Sequence, residues 1–155
     1  MLNRVVIKKA LKTDLPDILL LQRLAFQEIA DRYNNQKISP LVQTQSEILQ
    51  EFANRTFLKA IFKGKIIGSV RAHQEGDTCY VGRLIVHPRY QNQGIGTILM
   101  EKIEDLFLKA KRFEIFTGER DDKNIYLYQK RGYNIFKREN INEKLTLLFL
   151  EKRMN

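Results

Sequence analysis

The stretch Leu84 to Thr97, LIVHPRYQNQGIGT, constrains the fold of this chain more than any other. A β-rich run stops at His87-Pro88, where proline removes a ladder donor, and after a short polar loop two glycines open an amphipathic helix. From Gly94 the residues Ile95, Ile98, Leu99, Ile103, Leu106 and Ala110 share one helical face as far as about Lys111, and Phe113 to Thr117 is again β-rich. A strand, a crossover helix and a second strand in this order predict two parallel neighbours in one sheet.

The flanking sequence supplies the rest of that sheet. Arg4 to Lys9 reads as a first strand. Thr13-Asp14, with Pro16 and Asp17 in the first turn, starts a helix whose apolar stripe is Ile18, Leu21, Ala25 and Ile29, ending near Tyr33. The segment Asn34 to Gln43 breaks the pattern at Ser39-Pro40, and Thr44 with Glu47 forms a capping box that opens a second helix to Ala53. Phe57 to Phe62 and Ile66 to Ala72 form a hairpin about Lys63-Gly64-Lys65, and a turn from Gln74 to Asp77 leads into Thr78 to Val86. After the crossover come a helix from Lys123 to Lys130 and strands from Tyr133 to Lys137 and Leu145 to Leu150. This order predicts a single α+β domain over residues 1–155, with a mixed, mostly antiparallel sheet of six to seven strands flanked by about four helices.

Composition narrows the function classes. Apolar residues make up 43% and charged residues 29%, as in soluble globular proteins. Apolar runs such as Ile18 to Leu21 fall far short of the roughly 20 residues that cross a bilayer, and the N-terminus carries no signal-peptide pattern, so a cytoplasmic protein without a membrane partner is expected. The single cysteine, Cys79, lies in a strand-like stretch without a metal-binding pattern and reads as a small buried hydrophobe. Twenty-seven basic against eighteen acidic residues give +9, which favours an anionic ligand. The basic residues are scattered in singles and pairs such as Lys8-Lys9 and Lys130-Arg131 rather than striped, which argues against nucleic acid; a phosphate-rich small cofactor would use the same charge, and the charge alone leaves the partner open.

Gly94 and Gly96 let the first amides of their helix approach a ligand, and a helix N-terminus favours an anion such as a pyrophosphate. Alone, the pair could equally be a tight turn packed on the sheet. No Gly-Lys-Ser/Thr follows, as a P-loop requires, and the third glycine of a dinucleotide fingerprint is missing. With its surroundings, Val86-x-Pro88 followed by Gln91-x-x-Gly94-x-Gly96 resembles the acetyl-CoA-binding signature of the GNAT family of N-acetyltransferases. Asn124 to Tyr133, with Leu127-Tyr128, three residues, then Gly132-Tyr133, is similar to the family's second signature.

The resemblance implies the following roles. Backbone groups of Leu84, Ile85 and Val86 pair with the pantetheine arm of acetyl-CoA as an added strand would. Main-chain amides of Asn92, Gln93, Gly94, Ile95, Gly96 and Thr97 receive the pyrophosphate, with the Gln91 side chain beside the same loop. Tyr128, which by itself reads as a core aromatic at helical spacing, becomes the general acid that protonates the departing thiolate. Family members often carry an asparagine seven residues before that tyrosine; here Asp121 holds that position and Asn124 lies one helical turn before Tyr128, able to bond the pantetheine or cap the helix. Backbone amides at the end of the fourth strand are expected to stabilise the oxyanion.

The expected activity is direct transfer of an acetyl group from acetyl-CoA to a primary amine of a small molecule or peptide in a ternary complex. A non-catalytic acyl-CoA-binding or sensor domain is the alternative. Glu119, His73 and Glu28 are candidates for a general base, and Arg89 and Lys123, which flank the motifs, for phosphate contacts. Exposed strands near the C-terminus are compatible with a homodimer.

Overall fold

The computed structural model describes residues 2–155. Its elements are β1 (Val6–Lys9), α1 (Leu15–Arg32), α2 (Ser39–Val42), α3 (Gln45–Phe52), β2 (Thr56–Phe62), β3 (Lys65–Glu75), β4 (Thr78–Val86), α4 (Ile95–Asp105), β5 (Arg112–Gly118), α5 (Asp122–Lys130), β6 (Asn134–Asn142) and β7 (Leu145–Arg153). The strands form one seven-stranded sheet in the order β1-β2-β3-β4-β5-β7-β6. All neighbours are antiparallel except β4 and β5, the pair joined through α4.

The expected sheet and its parallel crossover are present, with five α-helices rather than about four among the described residues. The additional helix, α2, is a single turn started by Pro40 inside the segment expected to be irregular. The Thr44–Glu47 capping box is formed, each side chain bonding the other's backbone amide at 2.9 and 3.2 Å. α4 ends at Asp105, earlier than its apolar period suggests. The reason is tertiary: the amides of Lys111 and Arg112 both donate to the Asp77 carbonyl, at 2.8 and 3.2 Å, so the chain must turn early to start β5 beside β4.

The sheet is covered on both faces. Leu58, Ala60 and Phe62 of β2 join Ile95, Leu99 and Ile103 of α4 in one buried cluster, while Phe57 joins Leu15, Ile18 and Leu19 of α1 and Ile48 of α3 in another. The alternation along β2 is the period of a strand buried on both faces. Cys79 is free and fully buried, and burial pushes its thiol up to about 12. No helix among the described residues is long and apolar enough to cross a membrane.

Two polar linkages fix α1 and α3 on their face. Arg71 of β3, 2% exposed, bonds Glu51 of α3 and Gln22 of α1, and its guanidinium lies 4.4 Å from the Phe57 ring. At the C-terminal end of α1, the Tyr33 hydroxyl accepts from the Arg120 amide at 2.7 Å, and Arg32 pairs with Asp121 at 3.1 Å. Gly118 makes that approach possible, because a Cβ there would stand 2.2 Å from the Tyr33 hydroxyl oxygen. Gly118→Ala is therefore expected to destabilise the protein by about 1–3 kcal/mol, the usual cost of overpacking, as read by urea unfolding; an unchanged midpoint would contradict this contact.

Candidate functional site

The site begins with a break in pairing. Along the β3–β4 ladder Arg71 faces Gly82 and Ser69 faces Ile85, so β4 carries one extra residue over this step. That bulge contains Arg83 at φ 51°, a left-handed conformation uncommon for arginine. On the other side, β5 pairs with β4 only at Thr78↔Arg112, Cys79↔Phe113 and Tyr80↔Glu114. Beyond Tyr80 the two strands part, although β4 continues to Val86 and β5 to Gly118.

Beside the freed side of β4 lies a cavity of about 730 Å³ walled by Leu84, Ile85 and Val86, the start of α4, one side of α5, and Ala25, Phe26 and Ile29 of α1, while the β5 residues Glu114 to Gly118 line a second cleft. Gln91 closes the loop after β4 by donating from Nε2 to the Val86 carbonyl at 3.1 Å. Asn92 at φ 62° and Gly94 at φ 87° turn the chain into α4. The first amides of α4 have no intrahelical acceptor, and together they form the electropositive end of the helix dipole. A Cβ on Gly96 would meet Leu127, Leu84 and Val86 side chains at 3.7, 3.8 and 4.0 Å, which are ordinary contacts among residues of the cavity wall. The protein itself thus leaves room for a methyl group at Gly96. Lys123, Lys130 and Arg131 add positive charge to the wall.

A second cleft of about 700 Å³ shares Phe26, Ile29, Leu84, Asp121 and Asn124 with the first. Its lining includes Tyr128, 3% exposed, whose position follows from how α5 ends. Gly132 at φ 96° stops the helix in a Schellman motif: the Tyr133 amide donates to the Tyr128 carbonyl and the Gly132 amide to the Gln129 carbonyl, both at 3.0 Å. The Tyr133 ring then packs on Tyr128, with centroids 6.1 Å apart. Burial, with the Asp121 charge, pushes the Tyr128 phenol above its ordinary pKa, and among the described residues its hydroxyl hydrogen-bonds nothing.

Comparison with known proteins gives this geometry a family. The sequence matches the acetyltransferase (GNAT) family over residues 20–133. The chain belongs to the GNAT acetyltransferase family. No curated protein sequence matches it. Among solved structures it is similar to the ribosomal-protein-S18-alanine N-acetyltransferase of Escherichia coli (17% identity, TM-score 0.76, covering 97% of this chain and 94% of that one). The PaiA N-acetyltransferase of Thermoplasma acidophilum in complex with coenzyme A is also similar (18%, 0.75, 97% and 99%), as is yncA, a putative acetyltransferase of Salmonella typhimurium with acetyl-CoA (16%, 0.76, 99% and 95%). At these identities the likeness is one of fold.

In this GNAT chain the residues expected to receive a donor are brought together: Leu84, Ile85, Val86, Gln91, Asn92, Gly94, Ile95, Gly96, Thr97 and Asn124 all line the first cavity. Gln93 is exposed and lies outside its wall. Asp121, at the position where relatives often carry asparagine, turns inward and accepts from Thr117 Oγ1 and the Gly118 amide, both at 3.1 Å. Its carboxyl is raised by burial against those bonds and Arg32.

Of the candidate bases, Glu119 lies outside both cavities and bonds Arg138 at 2.7 Å. Glu28 lines the first cavity but pairs with Arg32 at 3.3 Å. His73 lines the second, stacked on Tyr80 at 5.4 Å and 3.3 Å from Glu75. Arg89 is exposed and off the wall, whereas Lys123 is part of it. Sequence reasoning missed Arg55, Arg71 and Arg83 in the second cleft, because isolated arginines in strands and helix ends carry no motif.

Proposed function

We propose that this protein transfers the acetyl group of acetyl-CoA to a primary amine of a small molecule or peptide, by direct attack in a ternary complex. The observation that carries this reading is the parting of β4 from β5, which joins a groove at the start of α4 to a second cleft holding Tyr128 through a wall they share. Two substrates can thus enter from opposite sides and meet. Relatives of the same fold solved with coenzyme A or acetyl-CoA support the choice of donor.

The residues present fit that donor. β4 beyond Tyr80 no longer pairs with β5, and on that side it offers main-chain groups between Leu84 and Val86 to an extended chain carrying amides, as pantetheine does. The space beside Gly96 and the open amides from Asn92 to Thr97 suit a pyrophosphate, with Lys123 and Lys130 supplying opposite charge. Asn124 stands where the two cavities meet and is the side chain best placed to orient the arm. Acetyl-CoA supplies the activated acyl carbon. The chain's own part is to polarise the thioester carbonyl with a main-chain amide near the β4 bulge, and to hold a proton for the leaving sulfur on Tyr128, whose burial keeps the phenol protonated. The cytoplasm, where free thiols such as Cys79 persist and acetyl-CoA is available, is the compartment we assign. β6, exposed along its length at the sheet edge, is the surface we assign to self-association.

Acetyl-CoA with a panel of primary amines and peptides, followed by free thiol release, tests the activity; intersecting initial-velocity lines are expected, and binding without acceptor-dependent thiol release would instead identify an acyl-CoA sensor. Gly96→Val, in a protein whose fold is checked by its unchanged circular dichroism, should weaken acetyl-CoA binding at least tenfold by calorimetry, and Gly96→Ala, whose methyl group meets only ordinary contacts, serves as the folded control; undiminished affinity in Gly96→Val would remove the pyrophosphate from this loop. Tyr128→Phe removes one oxygen and should lower kcat by about 100-fold, the lower end of general acid catalysis, with KM for acetyl-CoA nearly unchanged. A parental kcat would end the general-acid role, and a raised KM alone would make the hydroxyl a donor-binding group.

A further inference from the structure

The second cleft carries charge that its own residues leave uncompensated. Three guanidiniums, of Arg55, Arg71 and Arg83, line it around one carboxylate, Glu51. Glu51 already pairs with Arg71 and, at 2.8 Å, with Arg55, and it accepts from Gln43 at 2.8 Å. Of the other charged groups of the lining, Asp121 pairs with Arg32 and Glu114 with Arg112, Glu75 is 71% exposed to solvent, and Lys37 adds a further cation.

Arg83 makes no ion pair among the described residues. Its one hydrogen bond runs from Nη2 to Ser39 Oγ at 2.9 Å, and its buried Nε has no partner. The Nε of Arg71, a side chain 2% exposed, is likewise buried and unpartnered. Burial lowers the pKa of Arg83; Glu51 offsets part of this and Arg55 adds to it, as expected for a cation short of negative charge. A guanidinium whose donors lie in a largely apolar cleft is matched by a carboxylate, which accepts two parallel N–H bonds. Arg83 and Leu84 both line the second cleft, and Leu84 lines the first as well.

We infer that the acceptor amine also carries a carboxylate, and that Arg83 receives it as the specificity-determining residue of the second cleft. This rests on the acetyltransferase reading above. A doubly charged cation such as a polyamine is repelled by the same arginines, whereas an amine with a nearby carboxylate compensates them. The free amino acid and the acidic peptide share this chemistry and differ in size.

The test uses matched acceptors with acetyl-CoA: glycine against glycinamide and L-alanine against L-alaninamide as free amino acids, and C-terminally amidated hexapeptides with Asp or Glu against the same amidated peptides with Asn or Gln. In each pair that turns over, the richer carboxylate member is expected to show a 10- to 100-fold higher kcat/KM, the range of one charge-assisted pair, carried mainly by KM. Turnover confined to one size class identifies the source. Arg83→Gln should bring that ratio to about one, and Arg83→Lys, which keeps the charge without the planar fork, should leave it intermediate. Equal rates for both members in the parent protein, a preference for the neutral member, or an equal loss on both members in Arg83→Gln would overturn the assignment.

If no acceptor is acetylated while acetyl-CoA still binds, the acetyltransfer reading fails and the anion site is read separately. Succinate should then raise the Tm of the parent protein and not that of Arg83→Gln. An unshifted parent, or the same shift in Arg83→Gln and Arg83→Lys, would overturn it.

Discussion

The proposed function rests on the loss of pairing between β4 and β5 after Tyr80. In a continuous sheet each strand's main-chain donors and acceptors are consumed by its neighbours, and an edge left open is a place where another chain can pair. Here the opening is internal. Antiparallel ladders hold both flanks, β3 on one side and β7 on the other. The extra β4 residue at Arg83 adds local twist beside the gap, and the crossover through α4 brings a helix N-terminus to its mouth.

The same opening sorts the protein's positive charge. On the α4 side, lysines and unsatisfied helix amides face a groove suited to phosphates; on the far side, arginines held by a single glutamate face a largely apolar cleft. Phosphate recognition tolerates point charges and main-chain amides, while planar carboxylates are matched by guanidiniums. Part of the overall excess of +9 thus lies along the walls of two adjoining cavities.

What was legible in the sequence is what local backbone geometry dictates. Gly94 at φ 87° occupies a position where other residues are strained and marks the start of α4, whereas Gly132 at φ 96°, legible in the sequence only as part of a family signature, forms the Schellman end of α5 that sets Tyr128 against Tyr133. The capping box of α3 and the ends of β4 were readable for the same reason. The extent of β6 was not, because its residues are exposed on both faces and show no alternation, so a run ending at Asn142 reads as ending at Lys137. The buried Arg71–Glu51–Gln22 group escaped because its members are separated by long stretches of chain and become neighbours only when α1 and α3 pack on β3. Arg83 was invisible as a site residue because the bulge that turns it into the second cleft is a property of the β3–β4 register.

The central claim is that the parted strands receive acetyl-CoA as a substitute for the missing ladder. A crystal structure of the protein with coenzyme A tests this most directly. The account predicts the pantetheine arm between β4 and β5, hydrogen-bonded to main-chain groups of Leu84 to Val86, with the pyrophosphate on the amides from Asn92 to Thr97. Coenzyme A bound elsewhere, or β4 and β5 closed on each other beyond Tyr80, would contradict it.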